Sequence, residues 1–154
     1  MTILSAQSIR DVRPIEPFLE SFKVAGMTAG LSVAGYDIRI RETITLERGG
    51  FALASTIERF VMPLDVIGIV HDKSTWARRG LACQNTVIEC GWQGFLTLEL
   101  TNHGDGPLQI EAGMPIAQIL FHWVDRVTEG YDGKYQNQAD RPVPAILETD
   151  EVSA

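Results

Sequence analysis

Cysteine is scarce in this 154-residue chain: Cys83 and Cys90 are the only two. Thiols spaced C-x6-C match no common zinc pattern, and one pair cannot staple a small secreted domain, so reduced thiols in a cytosol are expected. Histidine is nearly as scarce, and His71, His103 and His122 lie too far apart along the chain to suggest a metal centre. Cations are outnumbered, 13 Lys and Arg against 20 Asp and Glu, giving a net charge of −7 and a pI near 4.9. That deficit argues against coating nucleic acid, which requires many Lys and Arg to neutralise phosphates. A small anion in a local basic pocket stays open. No apolar run approaches the ~20 residues of a membrane span, and the N-terminus lacks the pattern of a signal peptide. A soluble, cytoplasmic protein with no nucleic-acid or membrane partner is expected.

What the sequence does have is short alternating segments between Gly and Pro turns. The length suits a single domain over residues 1–154, large enough to bury roughly two thirds of its unfolded surface. Pro14 and Pro17 punctuate an irregular or briefly helical lead-in, and residues 31–41 and 43–46 read as strands. Phe51 to Phe60 fits helix or strand by period, but Gly49-Gly50 before it and Pro63 after it favour strand. Further strands are expected over 66–70, 95–101, 108–110 and 116–123. Many short strands joined by such turns predict an all-β barrel or sandwich. From Thr128 the chain turns polar, so 128–154 forms a tail that either wanders free or closes over something.

Chemistry concentrates between Lys73 and Glu99. Lys73, Ser74, Thr75 and Arg78 put two cations and two hydroxyls into six residues, the composition of an anion pocket, with Arg79 adjacent. In the alternation from Phe95 to Thr101, Thr97, Glu99 and Thr101 share one strand face, which makes Glu99 a candidate acid–base group. Taken singly, these features name no reaction. The cations equally suit a solvated loop, and Glu99 equally suits the wet side of a half-exposed strand.

Six separated blocks carry a resemblance: LASTIER at 53–59, KSTWARRG at 73–80, NTVIECGWQG at 85–94, TLELTN at 97–102, GMPIAQILF at 113–121 and GKYQNQ at 133–138. Together with GYDIR from Gly35, they are similar to the dCTP deaminase family of the larger dUTPase-like group. The resemblance implies a distorted β-barrel of the dUTPase-like (β-clip) type, assembled as a homotrimer with each active site where subunits meet. It implies that Lys73, Ser74, Thr75, Trp76, Ala77 and Arg78 form a triphosphate-binding turn, with Ser74 and Arg78 also counted as catalytic. Glu99 corresponds to the catalytic glutamate. Thr97 and Leu98 correspond to the strand whose backbone reads the cytosine edge, Glu89 to the carboxylate that holds the deoxyribose, and Gln118 to another nucleotide contact. In the tail, Lys134 and Gln138 correspond to groups that close over the phosphates, and Tyr131 corresponds to a further nucleotide contact if the loop before Lys134 is a few residues shorter than the family's. Cys90 stands where the family commonly has proline.

The implied reaction is deamination of dCTP, or a closely related cytosine deoxynucleotide, to dUTP and ammonia, with Glu99 first taking and later giving a proton. The H-x-E and P-C-x-x-C signature of zinc nucleobase deaminases does not occur, so the implied chemistry is zinc-free. Magnesium is expected with the triphosphate. A dUTPase, or a bifunctional deaminase–diphosphatase giving dUMP and diphosphate, stays open because Glu89 is suitably placed to activate water. A plain dUTPase usually has aspartate and tyrosine at the positions of Glu89 and Trp92, and lacks the TLEL glutamate. A non-enzymatic binding protein is the third class.

Overall fold

The structure is a computed structural model that describes residues 2–150; where the expected domain and tail reach residue 1 and residues 151–154, they lie outside the described residues. The lead-in contains β1 (Thr2–Ile3), the helix α1 (Ala6–Val12) and β2 (Ile15–Glu16), then a hairpin of β3 (Phe22–Val24) and β4 (Met27–Leu31). That hairpin is absent from the sequence reading. Its two-residue turn has positive φ at both Ala25 (48°) and Gly26 (79°), the geometry of a tight hairpin, but Ala25 lacks the usual Asn or Gly signal. The single strand expected over 31–41 is also two pieces. Ser32 N donates to Gly35 O at 2.9 Å, closing a turn between β4 and β5 (Tyr36–Arg39).

The remaining elements are β6 (Ile44–Leu46), β7 (Phe51–Val61), β8 (Val66–Asp72), the one-turn helix α2 (Ser74–Ala77), β9 (Leu81–Cys83), β10 (Val87–Ile88), β11 (Gln93–Asn102), β12 (Leu108–Ile110) and β13 (Pro115–Trp123). One sheet runs β10-β8-β13-β5-β4-β3, with β1 also on β13; a second runs β2-β7-β11-β9; β12 and β6 pair separately. An Ile40–Thr56 bridge joins the first two sheets, which curl around one core as the expected distorted barrel. Val70, Ile119 and Phe121 from the first sheet and Ala54, Phe60, Leu98 and Leu100 from the second belong to that core, all essentially inaccessible. Among the described residues no helix is long and apolar enough to cross a membrane.

The β7–β11 ladder positions the chemistry. Its antiparallel register shifts between Phe95 and Thr97, leaving Leu96, Thr97 and Leu98 buried in succession. Such a bulge re-aims side chains and strands one backbone donor. Leu96 N finds the buried hydroxyl of Thr56 at 3.0 Å instead. Beyond the bulge, Thr97 pairs with Ser55 and Glu99 with Leu53, so both threonine and glutamate face the cleft outside the barrel.

Candidate active site

Glu99 is half-buried in a cleft of about 430 Å³ whose apolar sides are Phe51, Leu53 and Leu96. Its Oε2 accepts from the Thr86 hydroxyl at 3.2 Å, and its backbone oxygen accepts from Gln84 N at 3.0 Å. One carboxylate oxygen is thereby oriented, and the side chain lines the cleft. The tail supplies the far wall. Thr97 Oγ1 donates to Gln138 Oε1 at 3.1 Å and accepts from Val143 N at 3.0 Å, and Val143 and Ala145 line the cleft. Residues 131–138 therefore neither wander free nor wait apart from the barrel. Gln138 makes a parallel bridge to Gly94, and the Trp92 indole N–H donates to Tyr135 O at 2.6 Å.

A second cleft adjoins the first through Thr86, Leu96, Tyr135 and Gln138, and contains Glu89 and Tyr131. Tyr131 N donates to Cys90 O at 2.8 Å, and its hydroxyl accepts from Tyr135 N at 3.1 Å. The Lys134 ammonium lies 5.3 Å from the Tyr135 ring centroid, within cation–π range. Five of the expected residues thus gather along one groove: Glu99, Thr97, Glu89, Tyr131 and Gln138.

Lys73, Ser74 and Gln118 gather elsewhere, in a polar cleft with Asp37 and Asp72. Lys73 is not the free cation that composition suggested. Its Nζ sits 3.1 Å from Asp37 Oδ1, with both side chains nearly buried, and Gln118 Nε2 reaches the same oxygen at 3.4 Å. Thr75 and Arg78 are exposed on the same turn. Trp76 is buried, donating its indole N–H to Pro115 O at 2.7 Å, so its side chain anchors the turn instead of facing a ligand. The backbone N–H groups of Trp76, Ala77 and Arg78 are already used within the turn. Leu98 is in the core, leaving only its backbone for a ligand. The groove of Glu99 and the cleft of Lys73 share no residue.

Cys83 lies between them, its N–H donating to Asp72 Oδ1 at 2.8 Å. Burial pushes its thiol up to about 12, reinforced by the Asp72 and Glu99 charges, so it stays protonated at neutral pH and is a poor nucleophile. Among the described residues no group of three or more His, Cys, Asp or Glu side chains is gathered as a metal site.

Residues 24–124 match the family model for dCTP deaminase-like domains. A dCTP deaminase of Campylobacter hominis is 36% identical over 170 residues, covering 88% of this chain and 90% of that protein. The chain belongs to the dCTP deaminase-like family. A "dCTP deaminase, dUMP-forming" of Methanoculleus marisnigri is 36% identical over 105 residues, covering 64% of this chain and 56% of that one. A mutant dUTPase of phage phi11 of S. aureus, described with a structural Mg(II) ion, superposes with a TM-score of 0.57 at 17% identity, over 90% of this chain and 94% of that one. This last likeness is one of fold alone, and it places the dCTP deaminase-like chain on the dUTPase-like barrel.

Three groups at this deaminase-like site escaped sequence reasoning. Thr86 is the hydrogen-bond partner of Glu99, Asp37 the partner of Lys73, and Gln136 a tie between the tail and the barrel. Asp37 lay in the GYDIR block and Gln136 in GKYQNQ, so the signal was present for both. Thr86 likewise lay in NTVIECGWQG, but no role was attached to it there.

Proposed function

We propose that this chain hydrolyses dCTP, or a closely related cytosine deoxynucleotide, to dUTP and ammonia without zinc. The observation that carries the reading is Glu99: a half-buried carboxylate lining a cleft with Phe51, Leu53 and Leu96, with one oxygen held by Thr86. Apolar walls suit a pyrimidine ring, and a carboxylate at their end suits proton transfer at its amidine edge. Glu99 accepts a proton from water as its oxygen attacks C4 and passes that proton to N3. The second water proton then reaches the amine, and ammonia leaves as the C4 carbonyl forms.

Arg78, Ser74 and Thr75 are assigned to the triphosphate, with Lys73 released from Asp37 when phosphate arrives; Arg78 and Ser74 also act at the catalytic centre. Magnesium enters on the triphosphate as part of the substrate, and no side chain is assigned to it. Because the Glu99 groove and the Lys73 cleft are separate within one chain, we assign the complete site to neighbouring subunits of a cytoplasmic homotrimer. Glu89, in the adjoining cleft, favours one second reading: activation of water for attack on the α-phosphate, giving dUMP and diphosphate. The name of the Methanoculleus relative is of that kind.

The product of dCTP turnover separates the readings: dUTP with ammonia, or dUMP with both ammonia and diphosphate. Glu99→Gln is expected to lower kcat by ~10²–10⁴-fold or more while nucleotide still binds. Near-normal turnover by the folded variant defeats the mechanism.

A further inference from the structure

One side chain outside the assigned set ties the groove's two acidic and aromatic walls together. Gln136 is half-buried between the tail and the turn that follows Glu89. Its Oε1 accepts from Gln93 N at 2.8 Å and from Asn137 N at 3.3 Å, and its Nε2 donates to Gly91 O at 3.1 Å and Tyr131 O at 2.8 Å. A primary amide has two N–H donors and an oxygen with two lone pairs, and all are engaged here. A carboxylate of the same size lacks donors, an ammonium lacks acceptors, and leucine lacks both.

The partners are the pieces of chain that carry the groove. Gly91 and Gln93 flank Trp92, whose backbone N–H bonds Glu89 O at 3.2 Å. Tyr131 lines the groove beside Glu89, and Asn137 leads directly to Gln138 on Thr97. Two backbone bonds continue the seam, Asn137 N to Gln93 O at 2.9 Å and Phe95 N to Gln138 O at 3.1 Å. Glycine permits the close approach: a Cβ at Gly94 would stand 2.6 Å from Gln138 N, and one at Gly91 would stand 2.9 Å from Gly130 Cα.

We infer that Gln136 is a positioning residue that locks Tyr131–Gln138 and the Glu89 turn into one wall of the groove. The kinetic consequence rests on the proposed cytosine-nucleotide reading; the structural consequence does not. The test compares the full-length protein with Gln136→Leu and Gln136→Glu by residue-resolved hydrogen exchange without nucleotide, together with dCTP kinetics. In Gln136→Leu, the Gln93 amide should exchange about tenfold faster or more, the scale of one neutral hydrogen bond, while Leu98 and Ile119 stay protected. KM for dCTP should rise about tenfold with a smaller change in kcat, the sign of lost ground-state positioning. Gln136→Glu should follow leucine, because shape without donors is insufficient. Unchanged exchange and KM in Gln136→Leu overturn the assignment. So does loss of protection throughout the barrel in both variants, which would make Gln136 a general stability residue. If the parent protein does not turn over dCTP, the proposed function fails while the exchange arm still decides the latch.

Discussion

His122 is buried on β13, and both its ring nitrogens lack a hydrogen-bond partner among the described residues. Burial, with smaller contributions from His71 and the N-terminal charge, holds its pKa below the usual histidine range. The unfolded chain therefore takes up this proton at a higher pH than the folded one. The stabilising effect is complete above the unfolded value of about 6.5 and is lost as pH falls through the lower folded value. His122→Leu should accordingly flatten the decline of the urea midpoint from about pH 7.5 to about pH 5. At the upper pH it should also be no less stable than the parent, since an orphaned polar group costs about 1–3 kcal/mol. An unchanged pH slope would exclude His122 as its source.

α2 shows how an element too short to persist alone is held in place. Four residues give scarcely one turn, and isolated helices of this length are not stable in water. Trp76 supplies the missing stability, packed into the core with its indole N–H on the buried Pro115 carbonyl. Arg79 stacks on the same ring at 4.8 Å. Trp76→Phe should cost about 1–3 kcal/mol, because it leaves that carbonyl unpaired, and Trp76→Ala roughly 3–5 kcal/mol by opening a cavity. Chemical denaturation measures both. Nucleotide affinity should fall in the same order if the turn holds phosphate, whereas equal affinities in folded variants would detach α2 from that role.

At the scale of the whole molecule, the separate clefts lead to a test of the shared site. A homotrimer of about 51 kDa, three times 17.0 kDa, is expected from light scattering. Arg78→Ala and Glu99→Gln should each be inactive alone. Refolded together in equal amounts, they should regain about a quarter of parental activity, because a fourth of the sites would draw an intact Arg78 and an intact Glu99 from different subunits. If one subunit supplies both residues, mixing restores nothing.

The sequence determined the strand-rich class, the family and most of the groove, because alternation, turns and contiguous motifs are local signals that survive without coordinates. Alternation alone put Thr97 and Glu99 on one face of β11, and the motifs marked Glu89 and Gln138. Tertiary structure decided which of these residues meet. Lys73 and Asp37 are 36 positions apart in the chain yet form a buried pair, and the tail bonds to β11 some forty positions away. Such contacts depend on the closure of the barrel and on backbone approach at Gly91 and Gly94, neither of which leaves a periodic trace. For the same reason Thr86 and Gln136, though inside the family blocks, were not marked as site residues. Their roles lie in the partners that folding brings to them, whereas Glu99 was suggested by its own chemistry and position in the strand.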